Sequence, residues 1–167
     1  MDYKVDEMKQ SDWEQVVEIY MAGIRTGKAT FQTEAPSFKD WDKDHIKACR
    51  LVARLGDTLL GWVALSPTSS RCVYAGVAEV SIYIDERYRG NGIGKALLKE
   101  VIKKSEENGI WTLQSGIIRE NTASTSLHRN CGFREIGIRE KVGKMSTGIW
   151  HDVVLMERRS EVVGMSQ

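Results

Sequence analysis

Apolar positions recur along this chain with two periods. Between Trp13 and Arg25, Val16, Val17, Ile19, Tyr20 and Ile24 keep helical spacing, the mark of a helix with one buried face. Ser11 and Glu14 ahead of them read as a capping box, with Ser11 as N-cap. Ser37 with Asp40 predicts a second helix running to about Arg50. Ile93, Leu97, Leu98, Val101 and Ile102 form a third helical stripe, ending near Asn108. Elsewhere the period is two. "VAEVSIYID", 77–85, alternates and is β-branched, which predicts a strand. Two apolar runs about Gly56-Asp57 predict a hairpin over 51–67. "YKVDEM", "WTLQSGII", "FREIGIREKVGKM" and "GIWHDVVLMER" read as further strands. A short helix opens at Asn121 and stops at Gly132, a residue suited to a helix C-cap. Helices mixed with antiparallel connections indicate an α+β domain with a mixed sheet. Residues 1–158 are expected to form that single domain and 159–167 a flexible tail.

Composition narrows the picture. Hydrophobic residues make up 41% and charged residues 28%, the balance of an ordinary globular protein. Twenty-four basic and 23 acidic side chains nearly cancel, which argues against a generic nucleic-acid binder. The N-terminal stretch is charged rather than apolar, and no later run approaches the roughly 18 apolar residues of a membrane span. No nucleic-acid or membrane partner is therefore expected. Cys49, Cys72 and Cys131 are far apart and lack metal-ligand spacing. They read as reduced thiols of a cytoplasmic protein, with no metal.

One stretch resists this bland description. "DERYRGNGIGKALLKEV", 85–101, places Gly90, Gly92 and Gly94 just ahead of a helix, although glycine is a poor helix former. A Walker loop needs glycine where Arg89 stands and Ser or Thr where Ala96 stands, so that motif fails. A dinucleotide fingerprint needs glycine at Lys95 or Leu97, so that fails too. What remains is Arg89-x-x-Gly92-x-Gly94 after a strand and at a helix start. The first helical N–H groups lack partners and sit at the positive end of the macrodipole. Glycines let phosphate oxygens approach them, and Arg87, Arg89 and Lys95 add positive charge. A strand-to-helix turn with no ligand would use similar glycines, so the loop alone does not decide.

The flanking pattern does more. A strand, then "RYRGNGIGKALL", then a second strand, then "NTASTSLHRNCGF" resembles the GNAT superfamily of N-acetyltransferases. "IYMAGIRTGKATFQTEAPS", "RCVYAGVAEVSIYI" and "GIWHDVVLM" are similar to its phosphinothricin and methionine sulfoximine subgroup, over residues 3–158 or so. The resemblance implies a mixed sheet splayed between two central parallel strands, with helices on both faces. It also implies acetyl-CoA as co-substrate, a small amino acid or analogue as acceptor, and a homodimer. Arg89, Gly90, Asn91, Gly92, Ile93, Gly94 and Lys95 would hold the pyrophosphate. The strand at Ile82, Tyr83 and Ile84 would bond the pantetheine amides. Asn121 and Ser124 would face the cofactor, with Asn130 towards its nucleotide.

The chemistry asks for a base, because an ammonium has no free lone pair. Glu79 stands in a stretch without charge until Asp85. A carboxylate there is paired, catalytic or on a solvent face. Alternation puts it on one face with Ser81 and Tyr83. The resemblance gives it the role of general base. His128 occupies the position where many superfamily members carry Tyr, as in the subgroup. It can donate a proton to the departing thiolate, act as a second base, or merely pack the short helix. For the acceptor, the resemblance points to Phe31 as a wall and to Arg71, Cys72, Val73 and Tyr74. Arg71 suits an α-carboxylate. Trp150, His151 and Asp152 also match the subgroup, where they are expected to brace a dimer edge. A protein N-terminal or lysine acetyltransferase is the competing enzyme reading, and an acyl-CoA-binding sensor the non-catalytic one. The Arg71/Tyr74 pair argues against the first and Glu79 against the second.

Overall fold

The alternating runs pair into one seven-stranded sheet, and the helical stripes cover both of its faces. This computed structural model describes residues 1–166. In chain order the elements are β1 (Lys4–Glu7), α1 (Trp13–Arg25), α2 (Phe38–Asp44), β2 (Arg50–Leu55), β3 (Thr58–Pro67) and β4 (Val77–Ile84). They continue with α3 (Ile93–Glu107), β5 (Thr112–Ile118), α4 (Thr122–Asn130), β6 (Arg134–Lys144) and β7 (Trp150–Arg159). The spatial order is β1-β2-β3-β4-β5-β7-β6. Neighbours run antiparallel except β4 and β5, which are parallel. The expected α+β class, with a mixed and splayed sheet, is the one observed.

The two faces have separate cores. On one, the α3 stripe of Ile93, Leu97, Leu98, Val101 and Ile102 packs against Leu51, Leu65, Val80, Leu113 and Met156. Burying each such aliphatic side chain contributes roughly 1.5–3 kcal/mol. On the other, Val16, Ile19 and Tyr20 of α1 and Trp41 of α2 pack against Val52, Trp62 and Ala64. The short α4 ends as expected. Gly132 takes a positive φ of 91°, Phe133 N–H donates to the His128 carbonyl, and Gly132 N–H donates to that of Arg129. These two bonds satisfy carbonyls that a helix end would leave unpaired.

Two expected helix boundaries are corrected. Ser11 is not the N-cap of α1. It lies inside a 3-10 turn, Gln10–Asp12, and Trp13 opens the helix. Asp12 is buried, and its carboxylate receives two bonds from Arg54, at 2.8 and 2.9 Å, and one from Lys9 N–H at 2.9 Å. Burial alone would raise the Asp12 carboxyl, but the Arg54 bonds outweigh it and hold it below the usual range. A tertiary ion pair has thus displaced a local capping signal. The second helix stops at Asp44 instead of near Arg50, although Ser37 does cap it, accepting from Asp40 N–H at 3.2 Å. Arg50 starts β2 opposite Ala64, and its guanidinium binds Asp42 Oδ1 and the carbonyls of Asp42 and His45 at 2.6–2.9 Å. Strand pairing has claimed the residue that helical reading placed at the helix end.

Past β7, Ser160 is buried and its hydroxyl donates to Glu106 at 2.6 Å. Arg159 bonds the carbonyls of Ser160 and Val163 at 2.7 and 3.0 Å. Gln167, the last residue of the expected tail, lies outside the described residues.

Candidate active site

β4 and β5 pair only at Val77, Ala78 and Glu79, opposite Thr112, Leu113 and Gln114. β4 then continues alongside β3 as far as Ile84, so beyond Glu79 the sheet opens. Asp85 N–H donates to the Leu60 carbonyl on the β3 side. Successive residues of a strand aim their backbone groups to opposite sides. Ile82 and Ile84 therefore point theirs into the gap, while the Tyr83 carbonyl faces Gly61 of β3. Two cavities meet at this gap and share Ala29, Ile82, Tyr83, Asn121 and Ser124.

The first, about 310 Å³, lies on the α3–α4 side and is lined by the glycine loop. Gly90 and Gly92 have φ of 82° and 76°, with open space where a Cβ would stand. Backbone conformation demands glycine at both positions. Gly94 serves another purpose, because a Cβ there would sit 3.1 Å from Leu127 Cδ2. It lets α3 and α4 approach. The first helical bond runs from Ala96 N–H to Gly92 O, which leaves the N–H groups of Ile93, Gly94 and Lys95 without helical partners. The Ile93 side chain itself is buried in the core. Arg89 and Lys95 line the cavity. Arg87, counted with them in the sequence, instead binds Asp85 at 2.7 and 3.1 Å and holds its carboxyl below the usual range. Asn91 turns inward and donates to the Tyr88 carbonyl at 2.9 Å, which pins the loop. Asn121 caps α4, accepting from Ser124 N–H at 3.3 Å. Asn130, at the far end of α4, is exposed and borders neither cavity.

The second cavity, about 350 Å³, lies across the gap and holds Glu79, Phe31 and His128. The Glu79 side chain is open to the cleft, yet protein crowds round the concavity, and that partial burial raises its pKa. No side chain among the described residues bonds its carboxylate. Gly116 stands opposite, where even a Cβ would lie 4.0 Å from Glu79 Oε1. His128 is 1% exposed, and its Nδ1–H donates to the Ser124 carbonyl at 2.7 Å. Nε2 is buried and unpartnered among the described residues. Burial lowers the imidazole pKa, so at neutral pH Nε2 presents a lone pair. Phe31 seats against Gly143 of β6, where a Cβ would come within 2.5 Å of Phe31 Cζ, and stands edge-on to His151 at 6.5 Å.

Arg71, Cys72, Val73 and Tyr74 are not brought to these cavities. They form an exposed 3-10 turn between β3 and β4, with Arg71 over the Tyr74 ring at 5.6 Å. Val73 is 63% and Tyr74 48% exposed. Trp150 is 54% exposed, His151 bonds Glu120 at 2.5 Å, and Asp152 bonds Arg119 at 2.9 Å. Sequence reading missed Tyr20, His45 and Gly116 as cavity residues. Only Gly116 carried a local signal, a glycine interrupting an otherwise apolar strand.

The comparisons with known proteins agree with this geometry. A profile described as the acetyltransferase (GNAT) family matches residues 13–133. The chain is 32% identical over 158 residues to a phosphinothricin N-acetyltransferase of Alcaligenes faecalis, covering 90% of this chain and 79% of that protein. It is 33% identical over 84 residues to an L-methionine sulfoximine/L-methionine sulfone acetyltransferase of Pseudomonas aeruginosa, covering 50% and 48%. Among solved structures, a GNAT superfamily phosphinothricin acetyltransferase of Sinorhizobium meliloti in complex with AcCoA superposes with a TM-score of 0.88 at 26% identity. That match covers 100% of this chain and 93% of the other. A sheet that splits after three paired positions, a glycine cradle on one side of the split and these matches make the chain a member of the GNAT acetyltransferase family, in its phosphinothricin and methionine sulfoximine branch.

Proposed function

We propose that this protein transfers the acetyl group of acetyl-CoA to the amino group of a small amino acid or analogue, with Glu79 as general base. The observation that carries this reading is the place of Glu79. It is the last paired residue of β4 before the gap, its carboxylate is free, and its pKa is raised towards that of its task. An acceptor α-amino group is mostly protonated at neutral pH. Glu79 takes that proton, directly or through a water, and leaves the lone pair free to attack.

The residues present fit acetyl-CoA. Free N–H groups at the α3 N-terminus, with Arg89 and Lys95 beside them, suit a pyrophosphate. Bound there, acetyl-CoA supplies an activated acyl group. The backbone groups of Ile82 and Ile84 suit the pantetheine amides, and a β4 N–H in the gap can polarise a carbonyl oxygen. Asn121 and Ser124 border this path. The tautomer of His128 makes it a proton or hydrogen-bond acceptor, which favours a second base over an acid.

Arg71 can serve an acceptor carboxylate only if a second copy of the chain brings its exposed turn over a cavity. A homodimer is therefore part of the proposal, and the exposed Ile149 and Trp150 give it an apolar surface. Three free cysteines suit a reducing, cytoplasmic setting. The test follows CoA thiol release over a panel of amino acids and sulfoximine, sulfone and phosphinate analogues. Turnover with at least one of them is expected. Acetyl-CoA binding with no thiol release from any would overturn the reading in favour of a sensor.

A further inference from the structure

A third cavity, about 420 Å³, opens beside the Glu79 cavity and shares Tyr20, Gln32, His45, Ser81 and Tyr83 with it. Its wall is aromatic. Trp62 stacks on Tyr83 at 5.0 Å, Tyr83 stacks on Tyr20 at 4.9 Å, and Trp41 stands edge-on to Trp62 at 5.9 Å. Trp41 and Trp62 are buried, and neither indole N–H has a hydrogen-bond partner among the described residues. A buried donor left unpaired costs its desolvation penalty. Two of them beside one cavity call for an acceptor atom that these protein groups do not supply.

The charge at this cavity has one sign. Glu34 and Asp44 line it, and no lysine or arginine does. His45 adds no positive charge at neutral pH, because burial lowers its pKa and its Nδ1–H is committed to the Trp41 carbonyl at 2.7 Å. The Arg50 guanidinium lies over Trp41 at 5.0 Å, but it is bonded to Asp42 at 2.6 Å and is not part of the lining.

Position relative to Glu79 gives the cavity a use. Glu79, Ser81 and Tyr83 share one face of β4, and a strand rises about 3.3 Å per residue. An amine held at Glu79 is thus about 7 Å from Ser81, where the third cavity begins. A linear side chain running along β4 would end against the Trp62–Tyr83 wall. We infer that this cavity is the acceptor's side-chain subsite, selecting an uncharged side chain that ends in a hydrogen-bond-accepting oxygen and rejecting an anionic one. The inference rests on the amino-acid reading above. A sulfone end group is neutral, offers oxygens to the indole N–H groups and packs its methyl on the rings. A phosphinate of equal length brings a negative charge towards Glu34 and Asp44.

The test compares kcat/KM for L-methionine sulfone, L-phosphinothricin and L-methionine, which share chain length and differ in charge and oxygens. The sulfone is expected to exceed phosphinothricin by about tenfold or more. Glu34→Lys, an exposed change at the rim, should shrink that ratio by about threefold or more. Trp62→Phe should lower the sulfone rate by about three- to tenfold and leave methionine within about twofold, because only the N–H donor is lost. Trp41→Phe gives the same contrast if Trp62→Phe does not fold. A phosphinothricin rate equal to or above that of the sulfone, unmoved by Glu34→Lys, would overturn the subsite while leaving the acetyltransferase reading intact. Acetylation of none of the three, nor of any other amino acid, would overturn both.

Discussion

The two sides of the gap are built by different means. On the α3–α4 side, ligand contacts come mostly from backbone, with N–H groups freed by a helix start and glycines chosen for conformation or close approach. On the other side they come from side chains, brought together from α1, the 26–36 loop, β4 and α4. A backbone cradle recognises what every use of one cofactor shares, and it is encoded in a few adjacent residues. A side-chain cavity can be retuned one residue at a time, and its parts are scattered through the sequence. The first suits a constant partner and the second a variable one.

If that division holds, changes on one side should leave the other nearly untouched. The largest effect is expected from Glu79→Gln, which keeps shape and loses the base. Turnover should fall about 10²–10⁴-fold near pH 7, with acetyl-CoA affinity, measured by calorimetry, within about twofold of wild type. The wild-type rate should fall as pH drops through the raised Glu79 pKa, since the base must be ionised. The variant should lack that limb, and its deficit should shrink as pH rises towards the amine pKa. A parallel pH profile with near-normal turnover would make Glu79 structural.

Next comes Gly92→Val. Its φ of 76° is unfavourable for a side chain by about 1–2 kcal/mol, so the loop should leave its cradle geometry. Acetyl-CoA affinity should drop about tenfold or more, while the acceptor KM at saturating cofactor stays put. A smaller loss, about three- to fivefold and reduced by salt, is expected from Lys95→Ala, which removes one charge and leaves the N–H groups in place. If Lys95→Ala proved worse than Gly92→Val, the cradle would be a side-chain site after all. The mildest is Gly143→Ala. A Cβ at 2.5 Å must push Phe31 from its seat, and the acceptor KM should rise about two- to fivefold with cofactor affinity unchanged.

The cofactor side was legible in sequence because its logic is local. The glycine spacing, the α3 stripe and the Gly132 helix stop each sit within a dozen residues or so of what they control. The split between parallel strands came from the resemblance rather than from any period in the chain. What stayed hidden depends on partners far away in sequence. Arg54 claims Asp12 from 42 positions off and removes Ser11 from its expected cap. Arg87 looked like a phosphate contact until Asp85 was seen to hold it. The Tyr20–Tyr83–Trp62 stack joins three elements, each of which reads alone as ordinary core. Arg71 matches the subgroup by spacing, yet its turn projects away from the cavities of its own chain.

The short parallel junction has a mechanical side. β4 and β5 are joined by three paired positions, against seven for β3–β4 and seven for β5–β7. It is the seam along which the sheet is easiest to part, into a β1–β4 half and a β5–β7 half. Amides at Thr112–Gln114 should then exchange with deuterium sooner than those of the neighbouring ladders, through partial opening that leaves each half intact. A cofactor lying in the gap touches both halves and acts as a staple across the seam. At a concentration a hundredfold above its Kd it should add about 2.7 kcal/mol to stability and slow exchange on both banks of the seam together.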